Sequence, residues 1–91
     1  MVATQLRVIY GDTDQMGFVY YANYLRFFEA GRGEFIRAKG LRYRDFEERY
    51  SLLLPVTEAS VRYLAPARYD DLLRLETSLA EIRRASATFT Y

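Results

Sequence analysis

Apolar and polar residues alternate from Thr4 to Tyr10. Leu6, Val8 and Tyr10 fall on one side and Gln5 and Arg7 on the other, which predicts a half-buried strand. Gly11 to Gly17 is polar and turn-rich. From about Asn23 to Lys39 the period becomes helical. Tyr24, Leu25, Phe28, Gly31, Phe35 and Ile36 share one face, while Arg26, Glu29, Arg37 and Lys39 lie off it. Asn23 suits an N-cap and Gly40 a C-terminal stop. Gly31 and Gly33 each cost about 1 kcal/mol relative to Ala inside a helix. Such a cost implies a close neighbour, and a sheet wrapped around the helix would supply one.

Further along, Tyr43 to Tyr50 reads as a short second helix, with Arg44/Glu48 and Asp45/Arg49 spaced as i,i+4 pairs. A strand is predicted from about Leu53 to Leu64, closed by Pro66, and then a turn, AlaProAlaArgTyrAspAsp. The next strand covers about Leu72 to Ile82, with Leu73, Leu75, Thr77 and Leu79 on one face and Arg74, Glu76 and Ser78 on the other. Arg83 and Arg84 mark a reversal, and Ala85 to Tyr91 alternates again. The order of strand, long helix and three strands is that of an α+β domain. The last strand runs to the final residue with neither turn nor cap, which leaves an unpaired sheet edge. The expectation is one domain over residues 1–91, incomplete at its C-terminus.

Composition narrows the functional classes. With 91 residues, 51% hydrophobic and 16% aromatic, the chain can build one core. A chain of this length buries only roughly 60–65% of its unfolded surface, which favours association with another copy. A net charge of +1 provides no field for nucleic acid. No charged-then-apolar leader and no membrane-length apolar run stand out, so a cytoplasmic protein without membrane insertion is expected. The sequence has no Cys and no His. That removes Ser-His and Cys-His nucleophile pairs and nearly all zinc sites. Acid–base chemistry near neutral pH then falls to a carboxylate.

Two carboxylates stand out in YGDTDQMGFVYYANY, Tyr10 to Tyr24, because they sit among aromatic rings. A calcium loop counted from Asp12 fails at position five, which is Met16, and at position twelve, which is Asn23. A phosphoryl-transfer site needs a parallel nucleotide-type sheet, which this pattern does not build. No metal or cofactor is expected. One reading left open is catalytic. A carboxylate at a strand–helix junction attacks an acyl carbonyl or deprotonates a water, and helix N-terminal N–H groups stabilise the oxyanion. Phe18, Tyr20, Tyr21 and Tyr24 would then line an acyl pocket. The other is that both aspartates cap the turn by accepting local N–H bonds.

The motif D-T-D-x-x-G-x-V-Y-x-x-x-Y, Asp12 to Tyr24, closely resembles the signature of the 4-hydroxybenzoyl-CoA thioesterase family of hotdog-fold enzymes, which includes bacterial acyl-CoA thioesterases associated with the Tol–Pal system. The likeness continues through LeuArgPhePheGluAla, AlaProAlaArgTyrAspAsp and GluIleArgArgAlaSer. It implies a hotdog fold, an antiparallel sheet wrapped around a long central helix, paired into a homodimer or homotetramer that hydrolyses an acyl-CoA thioester without metal. By the same resemblance Asp14 is the catalytic carboxylate, as nucleophile or general base, and the backbone N–H of Tyr21 polarises the thioester carbonyl. Gly17 lets the backbone approach the substrate, and Arg83 and Arg84 contact the CoA phosphates. Glu29 stands where some members line the acyl pocket. Tyr21 replaces the His of many bacterial members, which leans toward a bulkier or aromatic acyl group. Ala85 replaces a third basic residue of some members. The alternative is a hotdog domain that binds acyl-CoA or another acyl ligand without turnover. A dehydratase ranks last, because its known arrangements require His.

Overall fold

The computed structural model describes residues 1–40 and 55–91. Among these, strand β1 (Val2–Arg7) leads through a short 3-10 turn (Tyr10–Asp12) to helix α1 (Asn23–Ala38). Strands β2 (Leu72–Ile82) and β3 (Ala87–Thr90) follow. The strands form an antiparallel sheet in the order β1-β2-β3. Leu6 lies opposite Leu73 and Thr4 opposite Leu75. Leu79 lies opposite Phe89, and the register slips between Leu79 and Glu81.

The helix packs on the sheet through a stripe at i,i+4 spacing, Phe27, Gly31 and Phe35, all buried. Gly31 is the point of closest approach. A Cβ built there would lie 2.5 Å from Thr77 Oγ1 and 2.7 Å from Leu75 Cδ2. The sequence-based reason for Gly31 therefore holds. For Gly33 it does not, because nothing lies within 4 Å of its Cβ position. Phe27 replaces Leu25 on the expected face; Leu25 is exposed. Two adjacent phenylalanines follow Arg26, and periodicity alone does not say which turns inward. Phe28 instead stacks on Tyr91 at 4.5 Å between ring centroids, and Phe35 meets Phe89 edge-on at 5.6 Å. Val8, Val19, Phe27 and Ala67 form the buried core, with Leu6, Tyr24 and Leu73 against it. Burial of a ring such as Phe27 stabilises by roughly 2–3 kcal/mol.

Strand β2 runs where expected, with Leu73, Leu75, Thr77 and Leu79 on its inner face. β3 is shorter than expected at both ends. β1 starts earlier and ends at Arg7, because Asp70 and Asp71 take over the backbone pairing of Val8. Tyr10 consequently leaves the inner face and is exposed. The strand expected over Leu53–Leu64 is corrected. Residues 55–64 carry no regular element, since no neighbouring strand among the described residues supplies a ladder for them. Leu53, Leu54 and the predicted helix Tyr43–Tyr50 lie outside the described residues. No helix among the described residues is long and apolar enough to cross a membrane.

Candidate active site

Strand β1 delivers the chain to the turn that holds both aspartates. Asp12 is buried, and its carboxylate is taken up twice: Ile9 N–H donates to it at 3.0 Å, and the Arg26 guanidinium pairs with its other oxygen. Its backbone carbonyl accepts two further bonds, from Tyr20 N–H and from Asn23 Nδ2, each at 2.9 Å. Asn23 is thus the first residue of α1 rather than its cap, with its amide turned back onto Asp12; Ala22 occupies the capping position. Asp12 ties the exit of β1 to the start of the helix.

Asp14 differs. It is half-buried, and its Oδ1 accepts Met16 N–H at 2.9 Å, a local Asx turn. Among the described residues no donor reaches its Oδ2. The loop closes through Asp14 N–H to Phe18 carbonyl at 2.9 Å and Gly17 N–H to Asp14 carbonyl at 3.0 Å. Gly17 adopts φ +84° with open space around its Cβ position. Its glycine is required by the turn's backbone conformation rather than by a crowding neighbour.

The turn Ala67–Asp71 braces this loop from the far side of the sequence. Val19 N–H donates to Ala67 carbonyl at 2.8 Å, Phe18 pairs with Arg68, and the Arg68 guanidinium lies 4.7 Å from the Phe18 ring centroid. Arg68 N–H in turn donates to Asp71 Oδ2 at 2.9 Å.

Tyr20 and Tyr21 follow the loop with ring centroids 4.8 Å apart. The Tyr20 phenol is held above its ordinary value of 10.0, first by hydrogen bonding with Tyr21, then by the charge of Tyr21, by desolvation, and last by the Asp14 carboxylate. Both rings are exposed, at 44% and 61%, so within this chain they do not exclude water as expected. Tyr24 is half-buried; its hydroxyl accepts Ala67 N–H at 3.2 Å, and its ring meets Phe27 and Tyr63 edge-on. Of the four rings expected to line an acyl pocket, Tyr24 lines a cavity of about 300 Å³ between helix and sheet, with Leu6, Phe27, Phe28, Leu73, Leu75 and Tyr91. Asp14 does not border it. Asp12 and Arg26 border a second, smaller cavity of about 190 Å³.

The start of α1 leaves N–H groups open. Asn23 N–H bonds Tyr20 carbonyl and Leu25 N–H bonds Ala22 carbonyl. Among the described residues no acceptor takes those of Tyr21 and Ala22. A carboxylate with one unengaged oxygen and a helix start with open donors can act together on a carbonyl.

The other expected site residues lie elsewhere. Glu29 is exposed on α1. Arg83 and Arg84 are exposed at the far end of β2, where Arg83 Nε donates to Glu81 at 2.6 Å. At roughly 3.3 Å per residue, β2 carries them about 35 Å from the end of the sheet nearest Asp14. No group of three metal-ligating side chains converges among the described residues. Sequence reasoning missed Tyr63, whose hydroxyl donates to the Tyr21 carbonyl at 3.0 Å. It also missed Arg26 as the partner of Asp12. Neither contact has a sequence signal beyond residue type.

Residues 16–91 match the thioesterase superfamily, a span that begins just after Asp14. The chain is 38% identical over 84 residues to a Haemophilus influenzae protein named acyl-CoA thioesterase YbgC, covering 92% of this chain and 62% of that one. It is 33% identical over 87 residues to a 4-hydroxybenzoyl-CoA thioesterase of a Pseudomonas species, covering 93% and 62%. A crystal structure of a hypothetical protein from Aquifex aeolicus superposes with a TM-score of 0.92 at 35% identity, covering 98% of this chain and 70% of that one. The chain spans a little under two thirds of the length of the curated relatives it matches.

Proposed function

The chain belongs to the thioesterase superfamily, and we propose from this that the protein hydrolyses acyl-CoA thioesters with Asp14 as its reactive carboxylate. Its fold is the expected α+β hotdog, an antiparallel sheet on a long helix. The observation that carries the assignment is the contrast at the aspartates. Asp12 is engaged at both carboxylate oxygens, whereas Asp14 accepts a bond at Oδ1 and, among the described residues, no donor reaches its Oδ2. The names of the relatives, acyl-CoA thioesterase and 4-hydroxybenzoyl-CoA thioesterase, support the substrate class.

In this reading Asp14 attacks the thioester carbonyl, expelling the CoA thiolate and leaving an anhydride for water to open, or it takes a proton from the attacking water. The N–H of Tyr21 receives the developing oxyanion, Gly17 sets the turn, and Tyr24 and Glu29 border the acyl group. Arg83 and Arg84 hold the CoA phosphates, and their distance along β2 implies that they serve the site of another copy in a homodimer or homotetramer. Exposed apolar residues such as Val56, Leu64 and Ile82 favour such an assembly. We place the enzyme in the cytoplasm, with the acyl-CoA pool.

A hydrolysis panel of aromatic and aliphatic acyl-CoA esters on the full-length protein tests the activity. Binding of these esters without turnover would instead favour an acyl-ligand binding protein. Replacing both arginines by Ala should raise KM for acyl-CoA with kcat little changed, and should leave an acyl-pantetheine unaffected.

A further inference from the structure

We infer that Tyr63 is a positioning residue for the oxyanion-binding backbone, an inference that rests on the thioesterase reading above. Two consecutive peptides join Tyr20 to Tyr21 and Tyr21 to Ala22, in a turn whose residues are exposed. The carbonyl of the first is held by Asn23 N–H at 2.9 Å. The carbonyl of the second is held by the Tyr63 hydroxyl at 3.0 Å, from 42 residues away. Each peptide is thereby fixed at its oxygen, and its N–H, on Tyr21 and on Ala22, points to the opposite side without an acceptor among the described residues. The Tyr63 bond also polarises the second peptide and strengthens the Ala22 N–H as a donor, one peptide along from the Tyr21 N–H proposed to receive the oxyanion. The Tyr63 ring is set for this by edge contacts to Tyr21 at 6.3 Å and Tyr24 at 5.4 Å between centroids. The hydroxyl thus holds the turn in the geometry that a developing oxyanion requires, without touching substrate.

Tyr63→Phe separates the bond from the packing, because the ring stays. On the full-length enzyme it should lower kcat about tenfold with KM and Tm unchanged, since a donor geometry needed in the transition state is loosened. Amide exchange at Asn23, whose N–H closes the turn on the Tyr20 carbonyl, should accelerate, while that of β1 stays as in wild type. Tyr63→Ala should lower Tm as well, because it removes the ring contacts. A Tyr63→Phe enzyme with kcat within about twofold of wild type overturns the inference while leaving the thioesterase reading intact. Unchanged exchange at Asn23 overturns it equally. A wild type that hydrolyses no acyl-CoA ester removes both.

Discussion

Asp12 and Asp14 stand two residues apart in one turn, share a side-chain type, and differ in their partners. Asp12 is buried, bonded by Ile9 and paired with Arg26, and its carbonyl gathers Tyr20 and Asn23. Asp14 is half-buried and, among the described residues, its carboxylate holds one local bond, from Met16. A carboxylate surrounded by donors is spent on structure, because each bond that stabilises its charge also lowers its reactivity as nucleophile or base. One that keeps an oxygen unengaged remains able to react. On the proposed reading, scaffold and chemistry are separated by partner count rather than by residue type.

The largest effect is expected at the reactive member. Asp14→Asn in the full-length protein should lower kcat by about 100-fold or more, since the amide neither attacks nor takes a proton, while Tm stays near wild type. Steady-state kinetics beside a thermal melt checks this, and near-normal turnover would reverse the roles given to the two aspartates. On the scaffold side, Arg26→Ala should cost about 2 kcal/mol of stability. It strands the Asp12 charge in a buried position, although the solvent exposure of Arg26 keeps the cost below that of a fully buried pair. Asp12→Asn should cost less, about 1 kcal/mol, because it removes the charge and keeps an acceptor for Ile9. Urea unfolding of the two variants decides their order; a larger loss in Asp12→Asn contradicts this account of the pair.

Asn23→Ala removes a single tie to the Asp12 carbonyl, and about 1 kcal/mol is expected from the same unfolding assay. The smallest effect concerns Tyr20. Its phenol should titrate above its ordinary range in wild type, and the shift should shrink but persist in Asp14→Asn, because Tyr21 is the larger cause. An NMR titration that follows the Tyr20 ring resonances reads this directly. An unaltered Tyr20 titration in the variant would mean that the Asp14 charge does not reach the ring.

The sequence was most legible where one period ran long. β2 and α1 start where alternation and helical spacing place them, because eleven and sixteen residues of consistent pattern outweigh local noise. The rotation of α1 was less legible. Phe27 and Phe28 are equally apolar, and the choice is made by Gly31, which seats the helix on Thr77 and Leu75. The segment 55–64 reads as a strand, but alternation reports fitness for a sheet and not the presence of a neighbour to pair with. At the site, the motif pointed to the aspartates. Their division of labour depends on Arg26, Asn23 and Tyr63, whose contacts form only once the chain has folded.

The ties of Asp12 have a consequence for how the molecule comes together. They span 3, 8, 11 and 14 positions, whereas the braces on the Asp14 loop come from Ala67 and Arg68, and that on Tyr21 from Tyr63. Short loops close at a smaller entropic cost than long ones, so the Asp12 ties can form once residues 9–26 are available. The Asp14 loop waits for the turn Ala67–Asp71. Folding kinetics should register the order as a higher φ-value for Asn23→Ala than for Tyr63→Ala, and the reverse ranking would refute it. On the proposed reading, such a chain would acquire its chemistry last, when the turn that braces the Asp14 loop has formed.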